Sequence, residues 1–274
     1  MPSPRALACP SSLKGVLSAR AAAAALARGL GGCDELPLAD GGEGTADVVP
    51  GLVEAASVIP FDPSHLDPFT SSRPFGELLA SMDADRLLIG LGGTANMDAG
   101  GGMFEVLDAL PPATVLCDVR TTLYDAPRLY GPQKGATPEQ VAELERRFRT
   151  DARLAPYAHL PGSGAAGGLG AALASLGADL VPGAATVLDL LGFDPEPYDL
   201  VVTGEGRVDA TTAEGKVPYE VARRCRAAGV RCVVFGGIVT EPLAGFETVA
   251  LSGDPARAAA DLKELGARLL DAAR

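Results

Sequence analysis

Short apolar runs alternate with amphipathic stretches along most of this 274-residue chain. The first run, Ala6-Leu-Ala-Cys9, stops at Pro10 and predicts a buried strand. A turn through Ser12-Leu-Lys14-Gly15 comes next. Ser18 to Leu30 then predicts an alanine-rich helix, with Ser18 as its N-cap and Gly31-Gly32 as its stop. Glu35 to Ala39 predicts the next strand, whereas Val58 to Arg73 is proline-rich and irregular. A helix is expected around Gly76 to Met82, and strands over Arg86 to Gly90 and Thr114 to Val119. Thr137-Pro-Glu139 opens a helix through Arg149, Gly162 to Gly170 opens one reaching Leu176, and Ala185 to Leu191 is helical. Leu200 to Val202 reads as a short strand, Val217 to Ala228 as a helix, Val230 to Phe235 as a strand, and Ala256 to Ala273 as a closing helix. Strands that alternate with helices in this way build βα units, so the expected fold class is α/β with largely parallel sheets.

Composition narrows the function classes. Apolar residues are 47% and charged residues 21%, a globular balance, and no run of about 18 apolar residues suggests a membrane span. The start, Met1-Pro-Ser-Pro-Arg5-Ala-Leu-Ala-Cys-Pro10, is too briefly apolar for a signal peptide, so a cytoplasmic location is expected. A net charge of −12 argues against nucleic acid as a partner. Cys9, Cys33, Cys117, Cys225 and Cys232 show no C-x-x-C spacing and read as reduced, buried thiols. Tryptophan is absent and aromatics are 5%, which disfavours aromatic-lined recognition surfaces. The two histidines, His65 and His159, lie in proline-flanked loops, so acid–base work falls to carboxylates or lysine.

The glycine clusters carry most of the remaining information. Asp199-Leu-Val-Val-Thr203 runs into Gly-Glu205-Gly-Arg207-Val-Asp209, which reads as a charged loop at the C-terminal end of a strand. Open α/β sheets place their ligands at such ends. Asp40-Gly-Gly-Glu43-Gly-Thr45 has the same form, with glycines that let backbone N–H groups approach an anion. In Gly92 to Gly102, seven of eleven residues are glycine or alanine, and Asp98 is the one ionisable group. Asp98 can serve metal, hydroxyl or proton chemistry, or can simply cap a helix toward Leu107. Lys14 and Lys134 sit in loops where a cation would meet phosphate. Lys216 comes directly after Gly215, but the spacing of a phosphate-binding P-loop fails, with Ala210 and Val217 where glycine and a hydroxyl are needed. Of two dinucleotide-like spacings, Gly162-x-Gly164-x-x-Gly167 lacks a preceding strand, while Gly90-x-Gly92-x-x-Ala95 comes after a good one and leaves a nicotinamide-dependent oxidoreductase open.

Taken together, these loops resemble the type I glycerate kinases. Pro10-Ser-Ser-Leu-Lys14-Gly15 resembles that family's P-D-S-F-K-G, and Ala39 to Thr45 matches its A-D-G-G-E-G-T. Gly92 to Gly100 is similar to G-G-S-A-T-N-D-G-G, Leu116-Cys-Asp118-Val to A-C-D-V, and Tyr130 to Ala136 to F-G-P-Q-K-G-A. Gly164 to Gly170 matches G-A-A-G-G-L-G, Thr203 to Asp209 matches T-G-E-G-R-I-D, and Gly215-Lys-Val-Pro218 matches G-K-x-P. The resemblance implies ATP-dependent phosphorylation of D-glycerate at its 2-hydroxyl, with Mg2+; a homodimer is the assembly considered. It also implies a flavodoxin- or Rossmann-like domain from residues 1–48 and 184–274, an inserted α/β domain over 49–183, and a cleft between them.

The resemblance also implies roles. Lys14 and Arg207 hold phosphate or the glycerate carboxylate; Asp40, Glu43 and Asp209 bind magnesium or orient the attacking hydroxyl; Asp98 is a second candidate base. Ser12, Gly41, Gly42, Gly92, Gly93, Thr94, Gly164, Gly167, Glu205 and Lys216 line the substrate and phosphates. The chain departs from the family pattern at Ser11, Met97 and Ala99, and lacks segments between Thr45 and Arg86 and between Gly102 and Thr114. A shortened homologue that binds glycerate or nucleotide without turnover is therefore the alternative.

Overall fold

A computed structural model describes residues 5–272. The first four residues of the chain start, and Ala273 at the expected end of the closing helix, lie outside the described residues. In chain order the regular elements are β1 (Ala6–Ala8), α1 (Ala19–Gly29), β2 (Asp34–Glu35), β3 (Leu52–Glu54), α2 (Arg73–Ala80), β4 (Leu87–Gly90) and β5 (Ala113–Cys117). After these come α3 (Ala126–Tyr130), α4 (Pro138–Thr150), α5 (Ala165–Ser175), β6 (Asp179–Pro182), α6 (Gly183–Leu190) and β7 (Leu200–Val208). The chain closes with α7 (Val217–Ala228), β8 (Arg231–Val239), β9 (Glu247–Ala250) and α8 (Ala258–Ala272). Contacts divide it into two compact units, Met1–Asp40 with Ala184–Arg274, and Gly41–Gly183. Residues 41–48, which the sequence reading kept with the terminal segments, pack within the inserted unit, because Gly41 lies against Leu116.

The terminal unit is an α/β sandwich. Its sheet runs β2-β1-β7-β8-β9, all parallel. Counted within the unit this is the order 2-1-3-4-5, the flavodoxin arrangement, and the order reverses between β1 and β7. Alternation along the strands sorts the two faces. Val202, Val233 and Phe235 pack with Ala22, Leu26, Leu262 and Leu265 of α1 and α8, while Val208 and Val234 pack with Ala222 of α7. Helices α1 and α8 meet through glycines: a Cβ on Gly29 would lie 2.0 Å from the Lys263 carbonyl oxygen. The caps obey the sequence. The Ser18 hydroxyl accepts from Ala21 N, and Gly31, at φ +75°, turns the chain out of α1.

Three expectations change here. The strand starting at Leu200 does not give way to a loop at Thr203; it continues to Val208, paired in parallel with β8 as far as Val239. Glu35 to Ala39 is regular only at its start, although Leu36 N and Leu38 N still donate to the Ala8 and Pro10 carbonyls. The sequence also missed the short edge strands β6 and β9, together with β3 and α3.

The inserted unit carries a second all-parallel sheet, ordered β3-β4-β5-β6. Leu87, Ile89, Val115 and Cys117 face a core filled by Phe75 and Leu79 of α2, Leu144 and Phe148 of α4, and Leu169 and Leu173 of α5. Thr137 and Gln140 form a reciprocal capping box at the start of α4, where the sequence placed the cap. No helix of the described residues is long and apolar enough to cross a membrane.

Candidate active site

The terminal unit gathers one set of charged residues where its strand order reverses. Past β1, Leu13 and Leu17 bridge in a tight turn with Gly15 at φ +72°, and Lys14 stands exposed at its tip. The loop hugs β7: Ser11 N donates to the Gly204 carbonyl at 2.9 Å, and a Cβ on Gly206 would sit 3.4 Å from Leu13 Cα. Ser12 lies in the same loop, half-buried. Gly204 is required for sheet packing, since a Cβ there would come within 2.3 Å of the Phe235 carbonyl oxygen.

Beyond Gly204, β7 presents Glu205 and Arg207, and Asp209 caps the next turn. Glu205 accepts from the Thr212 hydroxyl at 2.8 Å and faces Lys216 Nζ at 3.9 Å. Burial raises its pKa, Lys216 and the Thr212 bond oppose that, and the charges of Asp40 and Asp209 reinforce it. Asp209 Oδ1 accepts from both the N–H and the hydroxyl of Thr211, and these bonds, the hydroxyl first, lower its pKa. Lys14, Asp40, Glu205, Arg207, Asp209 and Lys216 thus belong to one unit.

The inserted unit carries the other set, around the exits of β4 and β5. Here the glycines expected to cradle anions pack backbone on backbone. A Cβ on Gly90 would lie 2.7 Å from the Gly41 carbonyl oxygen, and one on Gly92 would lie 2.3 Å from Gly42 Cα. Thr45 locks the bend by accepting from Gly41 N and donating to the Gly42 carbonyl. Gly164 is pressed against the Thr122 carbonyl oxygen, which a Cβ would meet at 2.4 Å, and Gly167 against that of Asn96 at 2.0 Å. Ala166, Gly167 and Gly168 all have positive φ inside the start of α5, and this turn embraces the Asn96–Ala99 loop, with the Ala166 and Gly167 carbonyls accepting from it. The dinucleotide spacing at Gly90 likewise leads into irregular chain and not into a helix, which removes the oxidoreductase reading.

Asp98 is a clasp. Its Oδ2 accepts from Ser72 N, Ser72 Oγ and Gly102 N at 2.7–3.0 Å, and its Oδ1 from Gly100 N and Asn96 Nδ2 at 3.1 Å. A carboxylate so engaged ties its own loop to the Ser72 segment, which argues against the base role expected from sequence. Asp98 also borders a hollow of about 250 Å³ with Phe69, Met97 and Arg147. Met97, where the family pattern has asparagine, is fully buried in the core.

Two residues that sequence reasoning left out or left unresolved stand nearer the sheet edge. Asp118 comes directly after β5, and its Oδ2 would lie 2.7 Å from a Cβ on Gly92. Glu43 lines the neighbouring Gly93, whose Cβ would come 3.3 Å from Glu43 Oε2. Lys134 is buried, with Nζ donating to the Asn96 carbonyl at 2.8 Å. Burial pushes its pKa down to about 8, against the pull of Asp118 and Asp98. On the same loop Thr94 Oγ1 and Asn96 Oδ1 are buried without a hydrogen-bond partner among the described residues. The signal for Lys134 was present in Tyr130 to Ala136; nothing local distinguished it from an ordinary exposed lysine.

The expected metal set is divided. Asp40 and Asp209 belong to the terminal unit and Glu43 to the inserted one, and no three acids, histidines or cysteines of the described residues form a ready-made metal cage.

A parallel 2-1-3-4-5 sheet with acids and cations near its reversal point has the form of an α/β protein that binds a ligand at the carboxyl ends of its strands. The sequence profile of the glycerate kinase family matches residues 6–58 and 109–257, and this chain belongs to that family. The glycerate kinase of Bacillus subtilis (strain 168) is 31% identical over 322 aligned positions, covering 84% of each chain. Those positions outnumber the 274 residues of this chain, so the relative carries internal residues absent here. The glycerate 2-kinase of Escherichia coli (strain K12) is 33% identical over 63% of this chain and 58% of its own. The crystal structure assigned to glycerate kinase 2 of Salmonella typhimurium LT2 superposes with a TM-score of 0.75 at 26% identity, covering 98% of both chains. Residues 59–108, which include the Asp98 clasp, fall outside the profile match.

Proposed function

We propose that this protein phosphorylates D-glycerate at the 2-hydroxyl with ATP and Mg2+. Kinship with named glycerate kinases supports the substrate. The observation that carries the chemistry is the charged set at the β1/β7 reversal. Phosphoryl transfer asks a protein mainly to position reactants and neutralise phosphate charge. Lys14, Arg207 and Lys216 supply the cations, and Glu205 and Asp40 the carboxylates.

Those carboxylates suit Mg2+, which is usually held by one or two acids with substrate phosphates and water completing its shell. The charge of Asp40 adds to the rise in the Glu205 pKa that burial causes. When bound, the ion screens phosphate charge. Lys216 opposes the burial that raises the Glu205 pKa, and the β7 pairing beside Gly204 and Gly206 keeps that carboxylate on a regular strand. All five cysteines are unpaired, in keeping with a cytoplasmic site of action.

Purified protein supplied with ATP, Mg2+ and D-glycerate should yield ADP and phosphoglycerate, with phosphorus NMR assigning the phosphate to the 2-position. A folded protein that binds glycerate by calorimetry but forms no product would overturn the proposal in favour of a non-catalytic binder. Product at the 3-hydroxyl would overturn the regiochemistry alone.

A further inference from the structure

We propose that the hollow beside Asp98 is a second binding site, for a small organic carboxylate whose apolar body is about one ring in size. It lies wholly within the Gly41–Gly183 unit and goes beyond the phosphorylation of glycerate. The end of α4 builds one part of it. Leu144 and Phe148 bury themselves in the core, which leaves Arg147 exposed and Asp151 as the residue that ends the helix. The Asp98 loop adds Met97 and Asp98 itself. Phe69 completes the lining and stays exposed, so a small ligand can reach the space.

Size sets the first limit on the ligand. The hollow measures about 250 Å³. A dry apolar cavity of about 150 Å³ takes up benzene, so the remaining volume suits a carboxylate arm on such a ring. The lining sets the second limit. Phe69, Phe148 and Met97 offer two rings and a thioether, surfaces against which an apolar ring packs well. Met97 stands where the family pattern has asparagine, so this apolar floor is a departure of the present chain.

Charge decides the sign of the ligand. The carboxylates of the lining are already committed. Asp98 accepts from five donors, and Asp151 accepts from N, Nε and Nη2 of Arg153 at 2.7–3.1 Å. Arg147 is not committed. Its Nε donates to Glu143 at 2.7 Å, but Glu143 also serves Arg146. Neither Nη of Arg147 has a hydrogen-bond partner among the described residues. The guanidinium stands over the Phe69 ring, 5.5 Å from its centroid, which sets a planar fork of free donors beside an apolar surface. A carboxylate is the complement of that fork.

The probe is phenylacetate, titrated against the full chain and followed by ligand-observed proton NMR. A molecule of this size should saturate the site with Kd on the order of 1 mM. Benzyl alcohol, which keeps the ring and lacks the charge, should bind about tenfold more weakly. Arg147→Gln should weaken phenylacetate about tenfold and leave benzyl alcohol within about twofold of wild type. Phe69→Ala should weaken both by about fivefold. Both side chains are exposed, so circular dichroism should show native folding in each variant. A response still linear at about 20 mM overturns the site. Equal affinity for phenylacetate in wild type and Arg147→Gln overturns the choice of ligand charge, as does benzylamine binding as tightly as phenylacetate. Displacement of phenylacetate by D-glycerate or ATP puts the probe in the kinase site and overturns the claim that this site is a separate one.

Discussion

Truncating Asp98 to alanine should destabilise the inserted unit severely while testing whether the residue is a clasp or a catalyst. The change strips the acceptor from three backbone N–H groups, those of Ser72, Gly100 and Gly102, and from the Ser72 hydroxyl and the Asn96 amide. Ser72 is fully buried, and its hydroxyl in turn accepts from Met103 N, so the loss propagates to the turn at Met103. At about 1 kcal/mol for each bond, five bonds give about 5 kcal/mol, and water reaching the half-buried site recovers part, leaving about 3–4 kcal/mol. For a unit near 150 residues that is roughly 10 °C in Tm.

Asp98→Asn is the sharper comparison, because the amide is nearly isosteric but turns one oxygen into a donor facing donors. It should cost about 2–3 kcal/mol. With no tryptophan in the chain, urea melts are best monitored by far-ultraviolet circular dichroism. If Asp98→Asn unfolds within about 1 kcal/mol of wild type yet abolishes turnover, the clasp reasoning fails and the proton chemistry returns to Asp98.

The same geometry sets other outcomes. Gly204→Ala should cost about 3 kcal/mol, since its methyl would sit 2.3 Å from the Phe235 carbonyl oxygen, and Gly167→Ala should cost as much for its 2.0 Å approach to the Asn96 carbonyl at φ +62°. Urea midpoints shifted by less than about 1 kcal/mol would show that the close packing read at these glycines is wrong. Glu205→Gln should change the pH dependence of stability. Because burial raises the folded-state pKa of Glu205 above its ordinary 4.5, the native state binds the extra proton, and this group lowers stability as pH rises through that window. The glutamine variant keeps the Thr212 bond without the charge, so it should gain on wild type from just below pH 4.5 upward; a gap that stays constant with pH would contradict the burial argument.

Local signals in the sequence were read well where they act locally. Ser18 with Gly31, and Thr137 with its proline, mark helix ends because capping is settled within one turn of chain. Strand–helix alternation indicated parallel α/β sheets and the family resemblance a flavodoxin- or Rossmann-like domain; the 2-1-3-4-5 order itself is read from the structure. What escaped depends on partners distant in sequence. Gly204 to Arg207 has the composition of a loop, and only β8, more than two dozen residues on, makes it strand. Glycines at 92, 164 and 167 suggest room for an anion, yet each lies hard against the backbone of another segment. Asp98 shows the same limit: its donors come from both its own loop and Ser72, which no spacing rule connects. The edge strands β6 and β9 are four residues each, too short for alternation to register.

The pairing of β1 with β7 has a consequence for biosynthesis. Ala8 lies opposite Val202, so the centre of the terminal sheet joins residues synthesised nearly two hundred positions apart. The Gly41–Gly183 segment is contiguous and can close its core while still tethered to the ribosome. The first strand and the alanine-rich helix behind it must wait, with their apolar faces uncovered, until Leu200 and the rest of β7 have emerged. A nascent chain arrested before that point would hold a finished insert and an unfinished host, and chaperone crosslinks should concentrate on residues 6–30.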